Sequence, residues 1–416
     1  MLALLVLVTI QHPVRPDTLT LTMADAVSRA LVVSPSVAVA VGDVARVRGL
    51  RAETLLPFPT NPGVFYGQTE RTTATSTTQD YDWLISQELE IGGQSFTRRS
   101  AMTAFLRASE ARVEDSRRLT ALETRLAFLT LALAQRQEAL IDTTARFAER
   151  MVGFAQRQFD AGEINRLELN ASILDAARTR SAAERARFVT EAAAAELARV
   201  VAVSPDTAVR AISLPSLPDI AWIAMADPLQ LARSRRPDLL AAEAQLQGAG
   251  SALSAAKRAF IPNLTFAALG GQEGGTDDLL GWQVGLQVPL FYNGQAARGE
   301  AEAELAAANA ARAATERAIT AELQAGIARL VRSTTAERYF ANSVLTAATE
   351  NVALTEQALL EGEVDLTDVI VLRRTALEAQ LESLAVLADA YSAWFEVAAA
   401  LDVDPLELSM LLTGKN

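Results

Sequence analysis

Between Gln94 and Asp160 the chain has no proline and a single glycine, Gly153. Within that stretch Leu119, Leu126, Leu133, Leu140, Phe147 and Phe154 recur at every seventh residue, with Leu122 and Leu129 in the intermediate position. A seven-residue apolar repeat keeps one narrow seam on an α-helix and calls for a second helix alongside. At about 1.5 Å per residue such a helix is roughly 100 Å long, several times the diameter of a small domain. It cannot wrap a globular core, so it must run beside another helix, out and back. Near the C-terminus Leu377, Leu381, Leu384, Ala388, Tyr391, Phe395 and Ala398 step by four and three in the same way.

Composition agrees. Half of the 416 residues are hydrophobic but only 6% are aromatic, a balance that favours long Ala- and Leu-rich helices. With no Cys and only His12, a thiolate metal centre, a disulfide scaffold, a Cys nucleophile, a Ser-His-Asp triad and a His-based zinc site are all excluded as sensible readings. No cofactor is expected, and the Gly270-Gly271 and Gly274-Gly275 pairs lack the context of a phosphate loop. The net charge of −12 argues against nucleic acid and against an anionic lipid surface. Residues 1–18 read as a signal-like or disordered N-terminus. The apolar run Leu2 to Ile10 fits the core of a secretory signal, although no Lys or Arg precedes it and no clear cleavage site follows. No stretch of 18 apolar residues follows, so a membrane could be crossed only by strands.

The chain is written twice. Gly93-Gln94 recurs as Gly294-Gln295 at an offset of 201, and Gly162-Glu163 recurs as Gly362-Glu363 and Pro205 as Pro405 at 200. This divides the chain into a first repeat over 19–203, a linker over 204–226, a second repeat over 227–405 and a tail over 406–416. Each repeat reads as helix, strand, turn, strand, long helix, turn, helix. The first helical pattern runs from about Met23 to Leu56 and is stopped by Pro57, Pro59 and Pro62. The β-hairpins are expected over about 63–91, around a polar loop from Arg71 to Thr78, and over about 263–290, around the turn Gly274 to Asp278. Trp282, Val284, Leu286, Val288 and Leu290 alternate with Gln283, Gly285, Gln287 and Pro289, and Trp83, Ile85, Leu89 and Ile91 oppose Leu84, Ser86, Glu88 and Glu90. Alternation suits lipid on one side and water on the other, and it equally suits a sheet half-buried against helices. Two hairpins cannot close a barrel, which needs about eight strands, whereas three chains would supply about twelve.

The ordered set resembles the outer-membrane efflux factor family typified by TolC. The residues that carry the resemblance are Gly162-Glu163-Ile164-Asn165-Arg166-Leu167-Glu168-Leu169 and Gly362-Glu363-Val364-Asp365-Leu366-Thr367-Asp368-Val369. Phe260-Ile261-Pro262-Asn263-Leu264 and Val288-Pro289-Leu290-Phe291-Tyr292-Asn293-Gly294-Gln295 join them. The segment around Pro289 and Phe291 is most similar to the branch that serves heavy-metal cation pumps. The resemblance implies a mostly α fold with a small β part, namely a homotrimer whose 12-stranded β-barrel in the outer membrane of a Gram-negative bacterium continues into a periplasmic α-helical tunnel. It implies a non-enzymatic exit duct for small molecules or metal cations. The duct would be completed by a periplasmic membrane-fusion adaptor and an inner-membrane pump of the resistance-nodulation-division type. Alternatives are a type I secretion duct, a periplasmic coiled-coil scaffold and, with little support, a hydrolase using paired carboxylates.

The resemblance places an aperture gate at Glu168 and Asp368, an acidic ring that would select cations. It places adaptor contacts at the hairpin tips Gly162, Glu163, Gly362 and Glu363. Val371 and Val364 stand where TolC-like tips can carry a second acidic residue and a basic latch. The plain structural alternative is that Glu168 and Asp368 are solvated helix-surface carboxylates. Asp160, Glu361 and Asp365 are further candidates for basic partner groups, with helix-dipole stabilisation as the alternative. Arg166 is expected to pair with Glu163 or Glu168 or to be an ordinary surface residue. Phe65, Tyr66, Tyr81, Trp83, Phe266, Trp282, Phe291 and Tyr292 fall near strand ends, as interfacial girdles do, or else pack in a core.

Overall fold

A computed structural model describes residues 18–204, 206–217, 220, 227–291, 293–361, 364–405 and 407. The apolar N-terminal run, His12, Pro205, Pro218, Tyr292, the second tip Gly362-Glu363 and most of the tail lie outside them. The chain is mostly helical with a small β part, and it divides into two compact units. One unit takes residues from 1–35, 117–228 and 322–416, and the other is Ser36–Ser116 with Leu229–Ala321. Each therefore draws on both halves of the sequence.

The first unit begins with strand β1 (Thr18–Leu21), which pairs in parallel with β4 (Ala208–Ala211), Thr18 facing Ala208. Thr22 caps helix α1 (Met23–Val33): its hydroxyl accepts from the Asp25 amide at 3.2 Å while its own amide donates back to the Asp25 carboxylate at 3.2 Å. The helix stops at Ser34, ahead of Pro35, so the pattern from Met23 onward is two helices and not the single one expected. Around this lie α4 (Arg166–Val200), α9 (Leu366–Ala400) and the later part of α3 (Gln94–Asp160), a helix of 67 residues. A core of Leu21, Ala26, Phe128, Leu131, Leu197 and Val209 joins the small sheet to the helices. Near the end of α9, Tyr391, Trp394 and Phe395 stack with ring centroids 5.2–6.0 Å apart, and the Tyr391 hydroxyl donates to the Pro215 carbonyl.

The long helix of the second half is interrupted where that of the first is not. It runs as α7 (Gln295–Tyr339), a π-helical turn (Phe340–Val344) and α8 (Leu345–Glu361). The duplication persists in the helix ends. Ala202 and Asp402 both take left-handed backbone, with φ of 50° and 52°, just past α4 and α9. Val203 N donates to Ala198 O at 2.9 Å and Val403 N to Ala398 O at 3.0 Å, two matching caps.

The expected seam is only partly the seam found. Leu129, Leu133 and Phe147 are buried, but Leu119 is 49% exposed. The deepest contacts of α3 lie on a neighbouring stripe, with Thr124, Phe128 and Leu131 at 0%, Ala145 at 1% and Ala155 at 0% exposure. This stripe mixes Ala145 and Ala155 with Thr124, Phe128 and Leu131, so the most completely buried positions of α3 are not the heptad set alone.

In the second unit, α2 (Pro35–Glu53) and, after the short α5 (Pro228–Arg235), α6 (Pro237–Lys257) each lead into a hairpin. The sheet is antiparallel in the order β2 (Gly63–Thr72), β3 (Thr77–Leu89), β5 (Leu264–Glu273), β6 (Asp277–Leu286). The strands run further into the first loop than expected. Only 73–76 remain as a turn, closed by Thr73 N donating to Ser76 O at 2.8 Å. Gly274 and Gly275, with φ of 65° and 77°, supply the left-handed backbone of the second turn. Strand β6 ends at Leu286, short of the expected boundary, because Pro289 has no amide to continue a ladder.

Candidate functional site

The strand register sorts side chains by face. Val64, Ile85, Ala268 and Trp282 lie across from one another on successive strands, as do Tyr66, Trp83, Gly270 and Leu280. Since alternate residues share a face, Leu89, Leu264, Phe266, Val284 and Leu286 extend a largely apolar surface, with Gln87 in the row of Phe266 and Val284. A Cβ on Gly270 would come within 2.7 Å of the Trp83 ring, so glycine there makes room for the indole. The opposite face is mixed: it carries Gly67, Asp82, Gly271 and Leu279 in one row, Phe65, Leu84, Leu269 and Gly281 in the next, and Gly63, Ser86, Ala267 and Gln283 in a third. The apolar face is open: Val64 is 71% exposed, Tyr66 69%, Leu280 84% and Trp282 80%. Contiguous apolar exposure on this scale marks a surface that meets something apolar. Among the described residues, strands β2 and β6 each have one unpaired edge.

The first hairpin tip closes on glycine. Gly162 has φ of 76°; its amide donates to Phe159 O at 3.0 Å and the Glu163 amide to Gln158 O at 2.8 Å, which finishes α3. Asn165 then caps α4, its side-chain oxygen accepting from the Leu167 amide at 2.7 Å and the Glu168 amide at 3.1 Å. Asn165 Nδ2 donates to Glu168 Oε1 at 2.5 Å. Glu168 thus serves the cap that begins its own helix. Asp368 occupies the same position after Asp365, the cap residue of α9, and is exposed. Leu169 and Leu366 pack together with Ala155, Ile164 and Ile370, which brings the starts of α4 and α9 to one place. Arg166 lies over the Phe159 ring, 5.9 Å from its centroid.

Asp160 and Glu361 are the last residues of α3 and α8, where a carboxylate opposes the helix dipole. Each accepts a bond at 2.9 Å from a glutamine one turn earlier, Gln156 and Gln357. Dipole stabilisation, sufficient for Glu168 and Asp368 in the first turns of their helices, does not account for these two.

One constellation was not foreseen. Arg178, Arg185, Arg373 and Arg374 line a cavity of about 380 Å³ with Asp175 and Glu378, over a floor that includes Phe147, Met151 and Leu377. The Arg373 guanidinium lies 3.4 Å from the Phe147 ring centroid, and Arg374 pairs with Glu378 at 3.1 Å. Burial pushes the Asp175 carboxyl above the usual range, against the pull of Arg178 and Arg374. The seven-residue spacing of Arg178 and Arg185 was the one available signal. Among the described residues no group of three or more His, Cys, Asp and Glu could hold a metal ion. No single described helix is long and apolar enough to cross a membrane.

Comparison with known proteins adds a family match over part of the chain and a fold over most of it. Residues 229–402 match the family described as outer membrane efflux protein. No curated protein sequence matches the chain. A crystal structure of a membrane protein from Pseudomonas aeruginosa superposes with a TM-score of 0.77 at 19% identity, covering 91% of this chain and 92% of the other. The Vibrio cholerae outer membrane protein VceC gives 0.76 at 16% identity, over 91% and 95% of the two chains. The Campylobacter jejuni CmeC outer membrane channel gives 0.75 at 15%, over 94% and 89%. The resemblance to the outer-membrane efflux family, drawn above from motifs, thus holds by family match in the second half and by fold along most of the chain.

Proposed function

We propose that this protein is the outer-membrane exit duct of a tripartite efflux system. The observation that carries the reading is the uncovered apolar face of a four-stranded sheet with two open edges. In water such a face and such edges invite aggregation, and in a bilayer open edges are not tolerated. Both problems vanish when copies join edge to edge. Three chains give about twelve strands, enough to enclose a water-filled lumen lined by the mixed face that bears Asp82, Ser86 and Gln283. The long helices would continue the tube into the periplasm, with the hairpin turns at the far end.

In this reading the starts of α4 and α9 set the aperture, and Glu168 and Asp368 of three chains form an acidic ring that favours cations. The tips around Gly162, Glu163, Gly362 and Glu363 meet a periplasmic adaptor, and Asp160 and Glu361 offer it carboxylates that helix stability does not call for. An inner-membrane pump of the resistance-nodulation-division type supplies the energy, and the cargo is small molecules or metal cations. The heavy-metal branch rests on the segment around Pro289 and Phe291 alone.

Purified protein in planar bilayers tests this. Discrete conductance steps with cation preference, weakened by Glu168→Gln with Asp368→Asn, are expected. A water-soluble protein without conductance would support the periplasmic scaffold instead.

A further inference from the structure

Folding gathers like charges among the helices of the first unit. The cavity of about 380 Å³ described above is lined from α4 by Arg178 and Arg185, from α9 by Arg373 and Arg374, and from α3 by Phe147 and Met151. Two carboxylates, Asp175 and Glu378, share the lining, which therefore carries two positive charges in excess. The acids on the same helices nearby are engaged elsewhere. Glu149 and Glu184 face Arg180 at 3.7 and 3.1 Å, and Asp142 pairs with Arg146 at 2.6 Å, all outside the lining. Glu382 is also outside it, one turn beyond Glu378, while Arg150 adds a cation 5.7 Å from the Phe147 ring centroid. Within the lining, Arg374 takes Glu378 at 3.1 Å. Burial pushes the Asp175 carboxyl towards its neutral form, which weakens it as a counter-charge. The unanswered charge sits on α4. Among the described residues Arg178 and Arg185 join no ion pair, and Arg185 donates to the Ser181 hydroxyl at 2.8 Å.

We infer that this cavity binds a small organic carboxylate with an apolar body. Arg178 and Arg185 stand seven residues apart on α4, so two turns of helix, about 10 Å, separate their backbones on one face. A guanidinium donates two parallel hydrogen bonds to a carboxylate, a fit that a point charge lacks. Met151, Ile370 and Leu377 offer the body an apolar surface beside the Phe147 ring, over which Arg373 lies. Phosphate would leave that surface unused, and a neutral aromatic molecule would leave the guanidiniums unanswered. The volume falls at the small end of ligand pockets, about 300–1,000 Å³. A bound anion also relieves repulsion among the arginines, so it should favour the folded state. The site needs only α3, α4 and α9 of one chain, and it stands apart from the duct reading.

Isothermal titration calorimetry on the full-length protein in detergent tests this, with benzoate, inorganic phosphate and benzyl alcohol as probes. Benzoate should bind saturably, phosphate several-fold more weakly and benzyl alcohol not at all. Arg178→Gln with Arg185→Gln should weaken benzoate about tenfold or more. Asp175→Asn should strengthen it several-fold, because the change removes a carboxylate that competes for Arg178 and repels the anion. A merely structural role would not improve binding. Arg146→Gln with Arg187→Gln removes equal charge from exposed ion pairs outside the cavity and should leave the affinity unchanged. Absence of saturable benzoate binding to wild type, equal weakening by the two double variants, or phosphate binding as tightly as benzoate would overturn the site. Should the Arg178 and Arg185 variant fail to fold, Asp175→Asn decides alone, and an unchanged or weaker affinity there would overturn it.

Discussion

Tyr391 shows how one side chain ties separate parts of a unit together. Its hydroxyl satisfies the Pro215 carbonyl while its ring packs on Trp394 and Phe395. Tyr391→Phe keeps the ring and leaves that carbonyl without its donor, so about 1–2 kcal/mol of stability should be lost, read as a lower melting temperature. Asp175 makes a prediction of opposite sense. Burial raises its folded pKa above the unfolded value, so ionisation weakens the fold at neutral pH, and the penalty lifts as pH falls through the raised pKa. Asp175→Asn should therefore be at least as stable as wild type at neutral pH, with the gap closing on acidification. A wild-type melting temperature that falls relative to the variant as pH drops through that range would refute the assignment. The placement of Asp175 was not legible in the sequence, because its surroundings come from helices α3, α4 and α9, whose lateral pairing no spacing rule fixes.

At the scale of elements, the turns were the most legible part and the seams the least. Gly162 announces its turn because left-handed backbone is cheap only for glycine. The caps after α4 and α9 use the same backbone at Ala202 and Asp402, and nothing in those residue types signals it. Ala202→Gly should accordingly stabilise the protein by roughly 0.5–1 kcal/mol, measured by denaturant titration. Ala145 and Ala155 of the deepest stripe of α3 were overlooked for a related reason: in an Ala-rich chain, alanine gives no contrast against its surroundings. Carboxylates ending α3 and α8 are a cost that the helices would be better without. Neutralising them by Asp160→Asn and Glu361→Gln should leave stability unchanged or raise it by about 0.3–1 kcal/mol, read as an unchanged or higher melting temperature. Loss of adaptor binding alongside that unchanged stability would mark them as contact residues, whereas a lower melting temperature would mark them as structural.

For the whole molecule, the duplication and the strand alternation were enough to place the sheet and its apolar face. They were not enough to separate a lipid-facing sheet from one packed on helices; the exposure of Val64, Leu280 and Trp282 shows that the described residues of this chain do not cover that face. The absence of cysteine opens the most direct test of the lipid-facing sheet. Single cysteines from Trp282→Cys, Gln283→Cys, Val284→Cys and Gly285→Cys, each labelled with a fluorophore in reconstituted protein, report alternately on the two faces of β6. Lipid-borne quenchers should dim labels at 282 and 284, and water-borne quenchers those at 283 and 285. Uniform quenching along the four positions by the water-borne agent would contradict the account.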